Sequence, residues 1–211
     1  MGNNKLWIAF LTVVGICTAW AKPLFIGYYP DWGKWHKPAY TVDKVPYEKL
    51  THVLWSFITP DTDGSLRGDA ADDPTALDEM VALGHAAGTK VIVSLGGGGQ
   101  SENFVPVASD DALRQKFIVN LVQFVADHNL DGLDMDWEWE YNPVPDADTI
   151  AYNKLLTELR VALPEGKTLS AALPCSQYYG KYFTPEVLVK NLDWLGFMTY
   201  DITGDWDEKA M

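Results

Sequence analysis

The chain alternates between two kinds of segment, and this alternation limits its fold more than any other feature. Short apolar runs rich in β-branched and aromatic residues recur roughly 26 to 41 residues apart, and each has the length of a strand. They lie at about 24–29, 51–58, 90–96, 130–137, 168–173 and 194–200. Between them, helical patterns predict helices at 74–87, 110–128 and 147–163, and a shorter one starting near Thr184. Such repetition predicts parallel strands joined by helical crossovers.

Two architectures satisfy this pattern, a doubly wound open sheet and an eight-stranded barrel. No nucleotide fingerprint follows the first strand, and the glycine-rich run SLGGGGQ at 94–100 lacks the Lys-Ser/Thr pair of a phosphate loop. Polar residues instead gather where several strands end, as in a barrel enzyme. They are Asp31, Trp32, Ser94, Asp136, Glu138, Tyr200 and Asp201. Since a barrel needs eight strands and about 250 residues, we predict an α/β fold, a (β/α)8 TIM barrel that is incomplete, with about six of eight βα units.

The first 21 residues have the composition of a secretory signal peptide. Lys5 precedes the apolar run LWIAFLTVVGICTAWA, and Ala19-Trp20-Ala21 has the pattern of a cleavage site. The alternative is a transmembrane anchor, for which the run is short. We predict a signal peptide at 1–21, the truncated N-terminal portion of a barrel at 22–211, and secretion to the extracellular space or periplasm with no membrane attachment after cleavage. Cleavage would leave Cys175 as the single cysteine, so no intrachain disulfide is expected.

Composition narrows the class of partner. The net charge of −13 argues against nucleic acid, because proteins that bind it carry a basic surface. Nine Trp and ten Tyr supply flat aromatic faces with a polar edge, which suit sugar rings as well as protein cores. We expect no cofactor and a monomer.

The stretch LDGLDMDWEWE at 130–140 places acids on alternate positions. Because side chains alternate across a strand, Asp134, Asp136 and Glu138 share one face, and Leu133, Met135 and Trp137 share the other. In a barrel the acids would face the interior. Carboxyl groups stacked there push their pKa values apart, so that one keeps its proton near neutral pH and can act as a general acid.

Three other interpretations of these acids compete. A solvated acidic face suits an edge strand, but Met and Trp occupy the gaps. Calcium loops favour glycine and small polar residues at those gap positions. Zinc requires ligand spacing that the four histidines do not show, namely His36, His52, His85 and His128. We therefore expect no metal site.

Four motifs together resemble glycoside hydrolase family 18, the chitinases and their endo-β-N-acetylglucosaminidase relatives. DGLDMDWE at 131–138 is similar to the family's D-G-x-D-x-D-x-E signature, with all five fixed positions filled. GYYPDW at 27–32, SLGG at 94–97 and MTYD at 198–201 resemble the first, third and sixth strands of the family in the same order. The resemblance spans residues 24–206. It implies a (β/α)8 barrel that hydrolyses β-1,4-linked N-acetylglucosamine with retention, as in chitin or other glycans that contain this sugar.

The resemblance also implies a role for each matching residue. Glu138 would protonate the leaving oxygen, while the substrate's own acetamido carbonyl acts as the nucleophile and closes to an oxazolinium ion. Asp136 would bind the acetamido N–H, Tyr200 the acetamido oxygen, and Asp134 would share a proton with Asp136. The expected substrate contacts are Tyr28, Ser94, Gly97, Met198, Asp201 and Trp139. Glu140 matches nothing in the signature, and we expect it to be replaceable.

Two departures from the family pattern and two competing functions remain. Gly98 stands where many relatives carry an aromatic residue, and the strand that carries the family's last Trp lies beyond the sixth strand. Candidate sugar platforms are Trp32, Trp55, Trp139 and Trp206, with Trp139 and Trp206 favoured because they follow strand ends. An endo-β-N-acetylglucosaminidase acting on N-glycans is one alternative function, and a non-catalytic chitinase-like sugar-binding protein is the other. The latter typically lacks the acid that matches Glu138. Because an incomplete barrel exposes strand edges, we also expect residues 22–211 alone to be poorly soluble or inactive.

Overall fold

The computed structural model describes residues 23–201. Its strands are β1 (Ile26–Pro30), β2 (His52–Pro60), β3 (Leu66–Arg67), β4 (Lys90–Gly96), β5 (Gly132–Asp136), β6 (Thr168–Pro174) and β7 (Trp194–Met198). Its α-helices are α1 (Asp69–Asp72), α2 (Thr75–Ala87), α3 (Phe104–Ser109), α4 (Asp111–Asp127), α5 (Asp146–Ala162), α6 (Gln177–Gly180) and α7 (Pro185–Asn191). Short 3-10 turns lie at Asp31–Trp35, Val42–Lys44 and Tyr47–Lys49.

Strand order distinguishes the two architectures that the sequence allowed. Six parallel strands are neighbours in the order β1-β2-β4-β5-β6-β7, and the two-residue β3 pairs antiparallel with the end of β2. A doubly wound sheet would reverse its order at a switch point, whereas here every crossover advances by one strand in the same direction. Right-handed crossovers then place all helices on one face. The sheet is therefore a curled part of a (β/α)8 barrel, as the sequence predicted.

The curl of the sheet can be read from one hydrogen bond. The hydroxyl of Tyr28 on β1 lies 2.9 Å from Oδ2 of Asp134 on β5. Three interstrand spacings of about 4.8 Å each, roughly 14 Å in a flat sheet, separate these strands. Two side chains can close that gap only if the sheet bends toward the face on which both lie, so this face is the barrel interior.

The helices cover the outer face and form the main core with it. α4 buries Phe117, Leu121 and Val125 along one stripe, and the Asp110 carboxylate caps its first turn by accepting the N–H groups of Ala112 and Leu113, both at 2.9 Å. Leu133, Met135 and Trp137 point outward into this core, each at most 2% exposed. Within β5, the alternation of acids inside and apolar residues outside is confirmed for Asp134 and Asp136.

The amino ends of the strands are joined by polar side chains that precede them. Oδ2 of Asp131, just before β5, accepts the Val91 N–H of the neighbouring strand and a bond from His85 Nε2, both at 2.8 Å. Asp193, before β7, accepts the Leu169 N–H in the same way at 2.8 Å. Asp131 thus has a structural role at the end of the barrel opposite Asp136.

The observed elements agree closely with the sequence predictions, with two kinds of difference. β5 ends at Asp136, so Glu138 lies two residues beyond the strand rather than on it. The helix α3 and the short elements β3, α1 and α6 were not predicted, because each is too short to show a periodic pattern. The predicted signal peptide and Trp206 lie outside the described residues. Within residues 23–201, no helix combines the length and the apolar character that crossing a membrane requires.

Candidate active site

Asp134 lies at the centre of the inner face and is fully buried. Its Oδ2 accepts hydrogen bonds from the Tyr28 hydroxyl at 2.9 Å and the Ser94 hydroxyl at 2.8 Å. Its Oδ1 accepts the Ser170 hydroxyl at 2.6 Å. Burial raises the pKa of Asp134, and the three donors oppose that rise because they stabilise the anion. Asp134 is therefore a buried acid whose orientation is fixed from three strands.

Asp136 is two residues nearer the open end of the barrel and is 6% exposed. Its Oδ1 is buried and has no hydrogen-bond partner among residues 23–201. Burial, and secondly the charges of Glu138 and Asp134, raise the pKa of Asp136 to about 7. A buried carboxyl oxygen without a partner is costly for the fold, so Asp136 is available to bind a ligand that enters from the barrel mouth.

Glu138 follows the end of β5 and is partly buried. Burial raises the pKa of its carboxyl group, and the negative charges of Glu140 and Asp201 raise it further. Glu138 therefore keeps its proton to higher pH than an ordinary glutamate does, which is what a general acid requires. Its backbone N–H donates a hydrogen bond of 3.0 Å to Oγ of Ser101, in the loop that follows β4.

The glycines at the end of β4 let this loop approach β5 closely. Gly96 has a φ of +113°, and a Cβ added to it would lie 2.4 Å from the carbonyl oxygen of Asp136. Gly97 has a φ of +89°, and its added Cβ would lie 2.6 Å from the Phe57 ring. Its N–H donates to the Asp136 carbonyl at 2.7 Å. Gly97 is also predicted to contact substrate, and in this structure its N–H holds the Asp136 carbonyl.

A cavity of about 390 Å³ opens beside Asp136 at the carboxyl ends of the strands. Tyr200, 65% exposed, and Trp32, 39% exposed, present aromatic surface to it, and Trp32 stacks on Phe57 with 6.1 Å between ring centroids. Other residues along its wall are Tyr28, Pro30, Ser56, Ala172, Gly196, Phe197 and Met198. Aromatic walls with a few polar groups suit a sugar ring. A larger cavity of about 690 Å³ lies at the amino ends of the strands, around His52 and Trp194, away from the acids.

Glu138 and Trp139 line two other cavities, but four of the ten predicted site residues, Asp136 among them, line this cavity of about 390 Å³. Tyr28, Met198 and Tyr200 line it, while Ser94 holds Asp134 beneath it. Trp139 is 5% exposed and packs against Trp137, Tyr152 and Phe183, with ring centroids 5.1 to 5.8 Å apart. Its rings thus pack among other aromatic side chains, while Trp139 also lines two cavities beside Glu138, so its substrate contact stays a prediction. Asp201 has a φ of +53° and raises the pKa of Glu138.

Two functional candidates, Ser170 and Ser101, escaped the sequence analysis, and a third, Trp32, was named there but not favoured. Ser170 on β6 donates a hydrogen bond to Asp134 from the side opposite Ser94. Both serines pair with Asp134 in the register of the sheet, so a known strand alignment would have indicated Ser170. Trp32 was one of four candidate sugar platforms, of which Trp139 and Trp206 were favoured, and exposure separates it from Trp55, which is 2% exposed. Ser101 gave no signal beyond being a small polar residue after a glycine run. Within residues 23–201, no group of three or more His, Cys, Asp or Glu side chains is arranged to hold a metal ion.

Comparison with protein families identifies the family to which the chain belongs. Residues 24–211 match the family model described as Glycosyl hydrolases family 18. The chain belongs to glycosyl hydrolase family 18. The match covers the four motifs at 27–32, 94–97, 131–138 and 198–201, and the first, third and fourth of these contribute residues to the wall of one cavity.

Individual proteins similar to this chain include chitinases and a chitinase-like agglutinin. The chain is 31% identical to "Secreted chitinase LysM12" of Penicillium expansum over 86% of this chain and 13% of that protein. It superposes with a TM-score of 0.81 and 30% identity on a mutant of Ostrinia furnacalis Group II chitinase catalytic domain 2 in complex with penta-N-acetylchitooctaose (NAG)5, covering 89% of this chain and 53% of that one. A chitinase-like agglutinin of Robinia pseudoacacia gives a TM-score of 0.75 and 27% identity, covering 86% of this chain and 56% of that one. The chain thus spans 13% of the fungal relative and about half of each solved chain.

Proposed function

We propose that the protein hydrolyses β-1,4 linkages of N-acetylglucosamine in chitin or chito-oligosaccharides, with retention of configuration and with the substrate's acetamido group as the nucleophile. One observation carries this proposal. Asp134, Asp136 and Glu138 form a row from the buried interior to the barrel mouth, where Asp136 presents beside a cavity of about 390 Å³ an oxygen that no described residue bonds. Membership of a glycoside hydrolase family supports the reaction class, and the bound ligand of the Ostrinia furnacalis chitinase supports the substrate.

The first step needs an acid and an internal nucleophile. Glu138 holds a proton because burial and the charges of Glu140 and Asp201 raise its pKa, and it transfers that proton to the glycosidic oxygen. The acetamido carbonyl oxygen forms a bond to C1 as the C1–oxygen bond breaks, and an oxazolinium ion results. A nucleophile on the same sugar has a high effective molarity. The Glu138 carboxylate then takes a proton from water as that water opens the ring, so one water is consumed and the acid is restored.

The neighbouring side chains bind the acetamido group. The free Oδ1 of Asp136 accepts the amide N–H and stabilises the positive charge that develops on it. Tyr200 lines the same cavity, where its hydroxyl donates to the acetamido oxygen, and Met198 packs beside it. Hydrogen bonds from Tyr28, Ser94 and Ser170 hold Asp134 in place. When Asp136 changes its protonation state, Asp134 takes up the proton or the negative charge that Asp136 gives up. Trp32 offers a flat surface for a sugar ring.

Two alternative functions stay distinct from this proposal. A sugar-binding protein without turnover is the alternative that the similarity to an agglutinin favours; the presence of Glu138 with its raised pKa favours hydrolysis. Release of N-glycans would use the same chemistry on a different substrate. We also propose that the protein is exported and acts as a monomer, and similarity to a protein named as a secreted chitinase supports the export.

Product analysis separates these functions. The full-length protein is incubated with chitopentaose and with a high-mannose glycoprotein, and the first products are followed by ¹H NMR. We expect chitopentaose to be cleaved, with the β-anomer formed first and then mutarotating, and the glycoprotein to be cleaved at least tenfold more slowly. Binding of chitopentaose without cleavage would show a sugar-binding protein. Initial formation of the α-anomer would contradict the acetamido nucleophile, and faster cleavage of the glycoprotein would assign the N-glycan substrate.

A further inference from the structure

We infer that Ser101 is a positioning residue that fixes the backbone of Glu138 and thereby sets the reach of the catalytic acid; the inference rests on the function proposed above. Glu138 lies beyond the last paired residue of β5, so the sheet does not hold it. Its backbone N–H donates a hydrogen bond of 3.0 Å to Oγ of Ser101, in the loop that follows β4.

Ser101 is one corner of a closed circuit of hydrogen bonds between the two loops. Its hydroxyl donates to the Gly97 carbonyl at 3.3 Å, and the Gly97 N–H donates to the Asp136 carbonyl at 2.7 Å. Starting from Asp136, the circuit runs through Gly97 and Ser101 to Glu138, two residues further along the same chain. It therefore fixes the segment that carries Asp136 and Glu138 relative to the end of β4.

The anchor itself is rigid. Ser101 is 5% exposed, and its carbonyl accepts the Phe104 N–H at 3.2 Å at the start of α3. Phe104 is fully buried and stacks on Trp137, with 5.0 Å between ring centroids. Trp137 directly precedes Glu138, so the acid is held on one side by the packing of its neighbour and on the other by the Ser101 hydroxyl. None of the four motifs that resemble family 18 includes Ser101, which lies four residues after Gly97.

Removing the Ser101 hydroxyl should displace Glu138 without unfolding the barrel. Ser101→Ala leaves the Glu138 N–H and the Gly97 carbonyl without their shared partner, and the acid can then move outward. A misplacement of about 1 Å costs on the order of 100-fold in rate. An acid that moves toward solvent also loses part of the burial that raises its pKa. The ionisable groups that surround it are Asp136, Glu140, Tyr179, Tyr200 and Asp201.

The test compares Ser101→Ala, Ser101→Thr and Gln100→Ala in the full-length protein. Gln100 is the preceding residue of the same loop and is exposed, so Gln100→Ala is the matched control. For Ser101→Ala on chitopentaose we expect kcat to fall 10- to 100-fold with KM within threefold. The alkaline limb of its pH profile should move to lower pH. Ser101→Thr, which keeps the hydroxyl, should recover most of kcat, and Gln100→Ala should match the wild type.

A second readout does not need turnover. Titration of the ¹³C-labelled Glu138 carboxyl group by NMR should give a lower pKa in Ser101→Ala than in the wild type. A Ser101→Ala enzyme within threefold of wild-type kcat, or one with an unchanged Glu138 titration, would overturn the inference. If the wild type cleaves no chitin oligomer, the proposed function fails, whereas the NMR titration still decides the role of Ser101.

Discussion

The Tyr28 hydroxyl and the Ser94 hydroxyl both donate to the same oxygen of Asp134, at 2.9 and 2.8 Å. Tyr28 reaches this oxygen from β1, across two intervening strands, whereas Ser94 stands on the adjacent strand. Burial raises the pKa of Asp134, and these bonds lower it. The ionisation of the deepest acid therefore depends on a side chain from the far edge of the sheet.

Tyr28→Phe should impair catalysis more than substrate binding. Without the hydroxyl, the Asp134 anion loses one donor, its pKa rises, and it exchanges a proton with Asp136 less readily. A hydrogen bond to a charged group contributes about 1.5–3 kcal/mol, so we expect kcat for chitopentaose to fall at least about tenfold. KM should stay within threefold. Steady-state kinetics would contradict the role if kcat were unchanged and KM alone rose.

Asp136→Asn should stabilise the fold at high pH and leave it unchanged at low pH. The pKa of Asp136 is raised from an ordinary 3.8 to about 7. Between pH 4 and 7 the folded protein keeps a proton that the unfolded chain releases, so this group's stabilising contribution is complete below pH 4 and is lost as pH rises through 7. At about 1.4 kcal/mol per unit of pKa, the loss is on the order of 4 kcal/mol.

Thermal unfolding of the wild type and Asp136→Asn at pH 4 and pH 8 measures this effect. Asparagine cannot ionise, so the variant should unfold at a higher temperature than the wild type at pH 8 and at a similar temperature at pH 4. A variant that is less stable than the wild type at both values would show that Asp136 is satisfied in the fold, contrary to its unpartnered Oδ1.

Glu140→Gln should shift the pH profile of activity without abolishing it. The charge of Glu140 is the second cause, after burial, of the raised pKa of Glu138. Removing that charge lowers the Glu138 pKa, so the acid loses its proton at lower pH and the alkaline limb of kcat/KM moves to lower pH. At pH 5 the rate should remain within threefold of the wild type. An alkaline limb that moves to higher pH would contradict this assignment.

The backbone at Gly96 should tolerate no side chain, in contrast to Gly99. Both have positive φ, +113° and +74°, but an added Cβ meets the Asp136 carbonyl at 2.4 Å only at Gly96, and nothing lies within 4 Å of it at Gly99. Gly96→Ala should therefore lower the free energy of unfolding by several kcal/mol, and Gly99→Ala by about 1 kcal/mol. Urea unfolding of both variants measures these free energies. Equal losses of unfolding free energy would contradict the close approach of the Gly96 backbone to the Asp136 carbonyl.

Local sequence patterns predicted the strands, the main helices and the inward row of acids, because each depends on side-chain period alone. Asp134, Asp136 and the outward Leu133, Met135 and Trp137 occupy the faces that a period of two requires. Glu138 illustrates the limit of this reasoning. Its spacing continues the alternation although the strand has ended, and its backbone N–H donates a hydrogen bond to Ser101 in another loop.

Long-range contacts account for the rest of what the sequence did not show. Ser170 is 36 residues from Asp134 in the chain, and only the pairing of β5 with β6 brings the two together. Trp139 was favoured as a sugar platform because it follows a strand end, but it is 5% exposed, and Tyr152 of α5 and Phe183 of the segment between α6 and α7 pack against it. Burial of an aromatic ring depends on which elements pack over it, and periodicity does not contain that information.

The central claim, that Glu138 is the catalytic acid, is tested most directly by Glu138→Gln measured beside Glu140→Gln in the full-length protein. Both variants remove one carboxyl group from the same segment and change little else in size. With chitopentaose at pH 5, we expect kcat/KM of Glu138→Gln to fall by about 10² or more, because general acid catalysis contributes about that much. Glu140→Gln should stay within threefold of the wild type. A Glu138→Gln enzyme within threefold of wild-type kcat/KM would contradict the account.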